Sequence, residues 1–415
     1  MVKIVKSKIT TLDLFAGCGG LMEGFEKQGH FTTLGCVEWE KAPCENLINR
    51  LKTKWKHNNA DNEVVRFDIQ RTEELFYGYD DKEYGRHVGL NKLIGEKKVN
   101  IVIGGPPCQA YSLAGRIRDE NGMRDDYRNY LFESYVKVVN HYRPSFFVFE
   151  NVQGMLSAMP DGTPIVEKVK KSFSDIGYET ISDFSKALFD LAEFGIPQNR
   201  KRIIIFGVNI MEFGIKSKDI INEFYNVIMP EYITEKVTVK QAIGDLPKLF
   251  PLEEEIRLNG KKYSHDIYDS GDIMNHIPRY HNKRDIGIFK MLAEDIESGN
   301  NEYCDIEKLK QLYSEMTGKK SNIHKYYVLR KNEQSNTIPA HLYKDGLRHI
   351  HPDPMQARSI TVREAARLQT FDDDYEFIGG MMHQYKMIGN AVPPKFSLVL
   401  ARAIYKIYVK YKGEI

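Results

Sequence analysis

Short apolar runs alternate with longer polar stretches over the first half of the chain, residues 11–209. The runs are rich in β-branched and aromatic residues and have the length of single strands. This alternation is typical of a parallel sheet flanked by helices, and it predicts a doubly wound, Rossmann-like α/β fold. The predicted strands are 12–15, 32–37, 64–67, 100–103, 146–149, 180–183 and 202–208.

Helical spacing fills the gaps between these strands, for instance at 21–28, 128–141 and 164–176, where Gly177 should end the helix. Beyond residue 209 the alternation weakens, and histidines and aromatic residues are interleaved with lysines and arginines. From Tyr385 a Gly-Asn turn, a Pro-Pro pair and an amphipathic helix at 396–410 follow. We therefore predict a large domain at 1–209, a smaller domain with its hinge at 210–384, and a C-terminal segment, 385–415, that completes the large domain.

Composition limits the class of protein. The 415 residues are 42% hydrophobic and 11% aromatic, enough for a large core, and no apolar run approaches the length of a membrane span. The first ten residues lack the apolar core of a secretion signal, so we expect a cytoplasmic protein without membrane contact. A net charge of +2 does not by itself indicate a nucleic-acid partner.

Five cysteines, an odd number without any Cys-x-x-Cys pair, indicate neither a disulfide framework nor a zinc site. His341, His349 and His351 are too loosely spaced to indicate a metal site, and no metal is expected.

The segment Asp-Leu-Phe-Ala-Gly-Cys-Gly-Gly at 13–20 runs from a strand through a glycine turn into a helix. Such a turn lets the backbone approach a ligand, and the helix start offers free N–H groups. Met22 stands where a dinucleotide fingerprint needs its third glycine, which disfavours NAD and a Rossmann oxidoreductase and leaves an adenosyl ligand favoured.

Acidic residues follow the next two strands. Glu38 stands at the distance at which a carboxylate reaches ribose hydroxyls, Trp39 could stack on adenine, and Asp68 with Ile69 follows the third strand. Ordinary capping of strand ends is the alternative, but two such acids behind a glycine turn favour a nucleoside site.

Cys108 lies in Gly-Gly-Pro-Pro-Cys-Gln-Ala-Tyr-Ser, 104–112, directly after a buried strand. Prolines and glycines there predict a rigid loop at the carboxyl edge of the sheet, where α/β proteins place their ligands. A thiolate is a strong nucleophile, and this loop is a poor place to bury a cysteine as a small hydrophobe.

Two further polar segments adjoin apolar strands: one ends the strand 146–149, and the other begins the strand 202–208. Glu150 and Asn151 end the strand Phe-Phe-Val-Phe, whose desolvation should let Glu150 hold a proton for a base nitrogen, although a capping Glu-Asn pair is the alternative. Strand alternation places Arg200 and Arg202 on one side, suited to phosphate or carbonyl oxygen, with a solvated charged edge as the alternative.

In this order the segments resemble the DNA cytosine carbon-5 methyltransferases of bacterial restriction-modification systems. The resemblance also covers Arg-Glu-Ala-Ala-Arg-Leu-Gln-Thr-Phe at 363–371 and Gly-Asn-Ala-Val-Pro-Pro at 389–394. It implies a sheet of the S-adenosylmethionine-dependent methyltransferase type, with S-adenosyl-L-methionine as cofactor. It also implies that Cys108 attacks carbon 6 of a flipped-out cytosine, that Glu150 serves ring nitrogen 3, and that Arg202 holds the carbonyl oxygen, supported by Arg200 and Asn151.

The resemblance further implies the cofactor-binding residues, which follow four strands, begin one helix and lie in the C-terminal segment. They are Phe15, Ala16, Gly17, Cys18, Gly19, Gly20, Glu38, Trp39, Asp68, Ile69, Pro107, Leu131, Asn390 and Val392.

The partner implied by the resemblance is double-stranded DNA, read by a variable region at about 210–360, with a restriction endonuclease as a functional companion and a monomeric enzyme. Gln109 and Ser112 are candidates for filling the gap left by the flipped base or gripping a phosphate. Arg279, Lys283 and Arg284 belong to a basic cluster, with His281 and Asn282, that could reach bases and phosphates. The alternatives are an RNA (tRNA) cytosine methyltransferase of the same fold and a non-catalytic DNA-binding regulator.

Overall fold

The structure, a computed structural model, describes residues 8–107, 131–160, 162–271, 273–320, 326–344 and 346–413. Contacts between Cα atoms divide the chain into two compact units. Unit 1 comprises Met1–Phe194, Lys201–Thr234 and Val392–Ile415, and unit 2 comprises Gly195–Arg200 and Glu235–Ala391. No helix in the described part of the chain is long and apolar enough to cross a membrane.

Unit 1 is built on a mostly parallel sheet with the strand order β3-β2-β1-β6-β7-β10-β8, and β9 pairs with β10. A separate hairpin joins β4 to β5. The strands are β1 Ile9–Leu14, β2 Phe31–Glu38, β3 Val64–Arg66, β4 Tyr79–Asp81, β5 Gly85–His87, β6 Ile101–Gly104, β7 Phe146–Val152, β8 Tyr178–Glu179, β9 Leu188–Asp190 and β10 Lys201–Asn209.

The central strands are apolar along their whole length because both faces of the sheet are covered. Ile101 to Ile103, Phe146 to Phe149 and Ile203 to Phe206 have no exposed surface. Strands β3, β2, β1, β6 and β7 run parallel, so their carboxyl ends meet at one edge of the sheet. Strand β10 is antiparallel to β7 and therefore begins at that edge.

Helices surround this sheet. They are α1 Gly20–Gln28, α2 Lys41–Thr53, α3 Ala60–Glu63, α4 Thr72–Tyr77, α5 Leu90–Ile94, α6 Leu131–Tyr142, α7 Ile165–Asp175, α8 Ile210–Phe213 and α9 Lys216–Glu223. A π-helical turn, Phe224–Ile228, follows α9, and short 3-10 turns lie at Gln153–Ser157, Phe184–Ala187, Leu191–Phe194 and Met229–Tyr232.

Unit 2 combines five helices with two hairpins in the described residues. The helices are α10 Val239–Ile243, α11 Lys283–Glu297, α12 Ile306–Thr317, α13 Val362–Leu368 and α14 Met381–Asn390, and the strands are β11 Pro251–Leu258, β12 Lys261–His265, β13 Tyr268–Ser270 and β14 Ile273–His276. Short 3-10 turns lie at Glu302–Cys304 and Gly346–Arg348. One apolar cluster of this unit centres on Phe289 and Leu292 of α11 and includes Leu309 of α12.

The last helix, α15 Pro394–Lys412, returns the chain to unit 1 and packs on α1. Gly24 makes this close approach possible, because a Cβ atom there would lie 2.3 Å from the backbone nitrogen of Leu398. Ser397 donates a hydrogen bond to the carbonyl oxygen of Leu21. The C-terminal helix is thus part of the layer that covers the sheet.

The predicted α/β class with a central, mostly parallel sheet is confirmed. One predicted strand, 180–183, is wrong: the strand is Tyr178–Glu179, and a 3-10 turn begins at Phe184. Gly177, with φ of 79°, follows the end of α7 as expected, and strand β8 begins at the next residue, Tyr178. Asp183 then accepts a hydrogen bond from the Ser185 N–H and caps the turn. The predicted domain limits at 209, 384 and 415 stay a prediction.

Candidate active site

The glycine turn leaves β1 at the carboxyl edge of the sheet. Phe15, Gly17 and Gly19 all have positive φ, a conformation that favours glycine. Glycine stands at two of these three positions. A Cβ atom on Gly17 would meet nothing within 4 Å, whereas one on Gly19 would lie 2.6 Å from a methyl carbon of Leu47. Gly19 is favoured by its φ of 83°, and a side chain there would also have to displace Leu47, whereas the backbone at Gly17 borders open space that a ligand could fill.

Glu38, the last residue of β2, is tied to this turn. Its Oε2 atom accepts a hydrogen bond of 2.9 Å from Gly17 N–H, and its Oε1 atom accepts bonds from the N–H groups of Trp39 and Glu40 at 2.9 and 2.8 Å. Burial raises the pKa of Glu38, and the bonded N–H groups lower it. Trp39 is 51% exposed, so its indole ring presents a free apolar face beside the carboxylate.

The next strand end lies alongside. Asp68 follows β3, which pairs with β2, and its Oδ1 atom accepts a 3.0 Å bond from Gln70 N–H. Ile69 is buried. The glycine turn, Glu38 and Asp68 thus follow three neighbouring parallel strands, as the sequence predicts.

Asp13, a buried acid inside β1 just before the glycine turn, was not among the predicted site residues. It is fully buried, and neither carboxyl oxygen has a hydrogen-bond partner among the described residues. Burial raises the pKa of Asp13 well above its usual range. An acid between two leucines of a core strand was the available signal, because burying an unpaired charge is costly.

The chain leaves β6 through Gly104 and Gly105 toward Pro106 and Pro107. A Cβ atom on Gly105 would lie 2.6 Å from Oε2 of Glu150, so a side chain at this position would displace the carboxylate from where it lies. Pro107 is partly exposed. Cys108, Gln109 and Ser112 follow directly and lie outside the described residues.

Glu150 and Arg202 form an ion pair at this edge. Arg202 Nε lies 2.7 Å from Glu150 Oε1, and the two side chains are 13% and 12% exposed. The antiparallel register of β7 with β10 sets Ile204 opposite Glu150 and Arg202 opposite Val152, which brings the two side chains together. A carboxylate and a guanidinium group therefore stand side by side where the Cys108 loop begins.

Asn151 connects this pair to the loop. Its amide nitrogen donates to the carbonyl oxygen of Pro106 at 3.4 Å, and its Oδ1 atom accepts from Val152 N–H at 2.8 Å. Asn151 is buried and therefore holds the chain just before Cys108 rather than facing solvent.

Arg200 does not share a face with Arg202, contrary to the prediction, because β10 begins only at Lys201. The Arg200 side chain is buried in unit 2, where Nη1 donates to the carbonyl of Ile338 at 3.1 Å and Nη2 donates to those of Gly389 and Ala391 at 3.2 and 3.1 Å. These bonds hold the loop before β10 to the segment that carries Asn390. The predicted role of Arg200 in supporting the site remains a prediction. Its buried bonds suit a role in positioning the backbone.

The remaining predicted cofactor residues are placed separately. Leu131 is buried at the start of α6, and Val392 is buried in the return to unit 1. Asn390 is exposed at the end of α14 in unit 2. Ala16, Cys18 and Gly20 are buried in the glycine turn.

The basic cluster predicted to read DNA divides into residues with partners inside unit 2 and residues exposed at the start of α11. Arg279 donates from Nη1 to the carbonyl of Tyr343 at 3.0 Å and from Nη2 to that of Leu342 at 2.7 Å, and its guanidinium lies 4.3 Å from the Tyr385 ring centroid. These contacts hold the Arg279 side chain within unit 2, and its predicted role in reading DNA stays a prediction. His281 is buried as well.

The other members of that cluster lie at the start of α11. Asn282 caps the helix by accepting from Asp285 N–H at 2.9 Å, and Arg284 pairs with the Asp285 carboxylate at 2.8 Å. Lys283 is exposed in the first turn. A DNA contact by Lys283 or Arg284 stays a prediction.

Buried histidines in unit 2 do not form a metal site: within the described ranges, no group of three or more His, Cys, Asp or Glu side chains could hold a metal ion. Burial lowers the pKa of His349 to about 3 and that of His351 to about 4. Cys18, Cys36 and Cys44 are buried, whereas Cys304 is exposed.

Known proteins are similar to this chain over almost its whole length. The model of the family described as C-5 cytosine-specific DNA methylase matches residues 9–406. The chain is 33% identical to the Type II methyltransferase M.Bpa9945I of Bacillus paralicheniformis, over 95% of this chain and 98% of that protein. It is 30% identical to the Type II methyltransferase M1.HphI of Haemophilus parahaemolyticus, over 96% and 87% of the two chains.

Solved structures share the fold. A prophage-encoded Escherichia coli protein, described as a DNA modification methyltransferase, has a TM-score of 0.59 at 22% identity, covering 96% of this chain and 99% of that one. The Dnmt2 methyltransferase of S. pombe has a TM-score of 0.53 at 14% identity, covering 98% and 100%. With a family model that spans almost the whole chain, this protein belongs to the C-5 cytosine-specific DNA methylases and is a DNA (cytosine-5)-methyltransferase.

Proposed function

We propose that the enzyme transfers a methyl group from S-adenosyl-L-methionine to carbon 5 of a flipped-out cytosine in a specific duplex sequence, through a covalent bond to Cys108. The observation that carries the proposal is the Glu150–Arg202 pair at the start of the Cys108 loop. Glu150 Oε1 faces Arg202, and Oε2 lies over Gly105, two residues before the Pro-Cys bond. A carboxyl group and a guanidinium group so placed can serve two neighbouring polar atoms of one pyrimidine ring.

The proposed chemistry uses these groups in sequence. The Cys108 thiolate adds to carbon 6 and forms a C–S bond, while Glu150 serves ring nitrogen 3 with a proton or hydrogen bond, so that the displaced electron pair is stabilised and carbon 5 becomes nucleophilic. Arg202 holds the carbonyl oxygen of the base. Carbon 5 then takes the methyl group, and S-adenosylhomocysteine is the leaving group. Water takes the proton from carbon 5, the C–S bond breaks with its electron pair on sulfur, and the aromatic ring is restored with the Cys108 thiolate released.

The cofactor supplies an electrophilic methyl group, and the residues at the first three strand ends suit an adenosyl ligand. The open side of Gly17 permits close backbone approach. Glu38 presents a carboxylate of the type that binds ribose hydroxyls, and the exposed Trp39 ring could stack on adenine. We propose that Asp68, Ile69, Pro107, Leu131, Asn390 and Val392 complete the site, together with the glycine turn.

Base flipping is required because a paired cytosine hides carbon 6 and nitrogen 3 inside the helix, and extrusion costs roughly a few kcal/mol. Gln109 and Ser112 are proposed to fill the gap or grip the neighbouring phosphate. We propose that 1–209 with 385–415 carries out catalysis and that 210–384 recognises the target.

The biological setting is proposed from the relatives. Type II methyltransferases such as M.Bpa9945I and M1.HphI suggest that this enzyme also acts beside a restriction endonuclease. We further propose a cytoplasmic monomer, since one asymmetric reading domain does not require two-fold symmetry in its DNA.

Covalent trapping tests the proposal directly. A duplex library that contains 5-fluorocytosine should form a stable protein–DNA adduct in the presence of S-adenosylmethionine. The fluorine on carbon 5 replaces the proton that must be removed and cannot itself leave as a cation, so the C–S bond is not broken. The adduct should vanish in Cys108→Ser and persist in Cys304→Ser, which removes an exposed thiol elsewhere. An adduct in Cys108→Ser would refute the assigned nucleophile. Methylation of tRNA without methylation of any duplex would refute DNA as the substrate.

A further inference from the structure

The hairpin β11–β12 is the most exposed regular element of unit 2 among the described residues. From Glu253 to Lys262 every residue is exposed, through a two-residue turn at Asn259 and Gly260 with φ of 50° and 77°. Such a turn matches the right-handed twist of two strands and makes a tight, regular ribbon. The hairpin therefore extends from the unit with solvent on both faces.

The base of this hairpin is firmly anchored. Phe250 N–H donates to Asp266 Oδ2 at 3.1 Å, and Asp266 N–H donates to the Phe250 carbonyl at 2.9 Å. His265 is completely buried at the end of β12. A rigid base with an exposed tip is what a reading element needs, because little conformational entropy remains to be lost on binding.

Charge is distributed unevenly along the hairpin. Three glutamates, 253–255, lie in the irregular stretch between the paired residues Pro251 and Ile256, whereas Arg257, Lys261 and Lys262 surround the turn. Lys262 Nζ is held by Glu255 Oε1 at 2.6 Å. Phosphates would therefore be attracted to the tip and repelled from the base of the hairpin.

Two cations at the tip are available to a partner. In the part of the chain that the structure describes, the side chains of Arg257 and Lys261 make no hydrogen bond and no ion pair, although their backbones belong to the ladder and the charge of Arg257 acts on the nearby Glu255 carboxylate. The register pairs Arg257 with Lys262 on one face and Leu258 with Lys261 on the other. Ile256 and Leu258 are 41% and 44% exposed, so apolar groups stand among the cations.

We infer that the tip of this hairpin, Ile256 to Tyr263, enters the major groove of the substrate duplex, with Arg257 reading a base edge and Lys261 contacting a phosphate. This inference rests on the proposed function, which supplies duplex DNA as the substrate. A two-stranded ribbon, with strands about 4.8 Å apart, fits a groove about 12 Å wide. Three residues of strand span about 10 Å, enough to reach the floor of a groove about 8.5 Å deep.

The side chains at the tip fit base recognition. An arginine can donate two parallel hydrogen bonds to guanine, and exposed aliphatic groups such as Ile256 or Leu258 can contact a thymine methyl group. A lysine bound to a phosphate contributes affinity without sequence information. Arg257 and Lys261 should therefore have separable effects.

The test first identifies the methylated sequence by bisulfite sequencing of plasmid from cells that express the wild type. Methylation rates are then measured for that duplex and for each single-base-pair variant of it. Arg257→Ala and Arg257→Lys should each lose about 10-fold discrimination at one base pair and keep it elsewhere. Lys261→Ala should weaken binding to all duplexes alike and lower the slope of log K against log salt by about 0.9.

The control is Arg86→Ala, which removes an exposed arginine from the β4–β5 hairpin of unit 1 and should change neither specificity nor salt slope. Circular dichroism and S-adenosylhomocysteine binding should be unchanged in all variants. If the Arg257 and Lys261 variants methylate duplex DNA with wild-type specificity and wild-type salt slope, the role of the hairpin is refuted. The proposed function is then unaffected. A wild type that methylates no duplex would overturn the proposed function, and this inference with it.

Discussion

Arg202 Nε lies 2.7 Å from Glu150 Oε1, and the pair is set by two adjacent strands of the central sheet. Residues of rigid strands hold their geometry better than residues of loops, which suits a site that must place two polar groups against one base. Because Asn151 on the same strand also holds the Pro106 carbonyl, a single strand end positions both the acid and the entrance to the Cys108 loop.

Loss of the Glu150 carboxyl group should slow methyl transfer without preventing binding. We expect Glu150→Gln to lower kcat by roughly two to four orders of magnitude, because ring activation at nitrogen 3 is lost. Arg202→Lys should lower kcat by roughly 100-fold, and the double variant should lose less than the product of the two effects, since the groups act on one base. Single-turnover methylation measures these effects.

A control for that experiment is Glu179→Gln, an acid on β8 of the same sheet, which should retain the wild-type rate. Equal loss of DNA affinity and of rate in Glu150→Gln would contradict a role in chemistry and indicate a role in binding.

Glu38 offers a separate prediction for the cofactor. Glu38→Ala should weaken S-adenosylhomocysteine binding by roughly 10- to 100-fold, because a hydrogen bond to a charged group contributes about 1.5–3 kcal/mol. The loss of three backbone contacts could also disturb the turn, so the decisive readout is selectivity. The wild type should prefer the ribose ligand over its 2′-deoxy analogue, and Glu38→Ala should not.

Calorimetry with both ligands checks this expectation, with Glu45→Gln on the exposed side of α2 as the matched control. A variant that binds both ligands weakly but still prefers the ribose form would show that Glu38 acts only on the fold of the turn.

The central sheet could be predicted from sequence because its signals are local. Continuous apolar strands such as Phe146 to Phe149 indicate a buried parallel sheet. The carboxyl ends of parallel strands meet at one edge, so Gly17, Glu38 and Glu150 come to that edge regardless of the details of packing. The strand predicted at 180–183 is wrong because the real strand has only two residues, Tyr178 and Glu179, directly after Gly177. Two residues are too few to show an alternation of apolar and polar positions.

Roles that depend on distant backbone could not be predicted. Arg279 looks like a DNA-reading arginine in sequence, but carbonyl groups of Leu342 and Tyr343, more than 60 residues away, accept its hydrogen bonds. Arg200 meets Gly389 and Ala391 in the same way. A basic residue in sequence carries no sign of which carbonyl groups will surround it, since those partners are fixed only by the tertiary fold.

The buried pair of Arg358 and Glu364 should stabilise unit 2. Two contacts of 2.7 Å join the guanidinium to the carboxylate, both side chains are at most 1% exposed, and Glu364 also accepts from Thr361 N–H in the capping box of α13. Glu364→Gln keeps an oxygen for the cap but leaves a buried guanidinium without its counter-ion, so we expect a loss of about 3–5 kcal/mol. Urea unfolding measures it.

Arg358→Met combined with Glu364→Gln should recover part of that loss, because the buried charge is then removed as well. A double variant no more stable than Glu364→Gln would show that Arg358 matters for its bonds to Gln356 and Ser359 rather than for charge.

Acid should destabilise unit 2 through its buried histidines. Burial lowers the pKa of His265 and His351 to about 4 and that of His281 and His349 to about 3. In the unfolded chain these groups take up protons near pH 6.5, so the unfolded state binds more protons and stability falls as pH decreases from about 7 toward 4. Each histidine should contribute about 1 kcal/mol of loss between pH 6.5 and 5.5.

The measurement is the urea midpoint at half-unit steps of pH, read by circular dichroism. His351→Gln should reduce the slope of stability against pH by the share of one histidine, whatever its effect on stability at pH 8. His383→Gln, at an exposed position of α14, should leave the slope as it is. Below about pH 4.5 Glu364 should add to the loss, because the neighbouring Arg358 lowers its pKa and the carboxylate stays ionised in the folded state, whereas His265 and His351 contribute less as they take up protons near pH 4. A flat profile from pH 7 to 5 would mean that these histidines already take up protons in the folded protein.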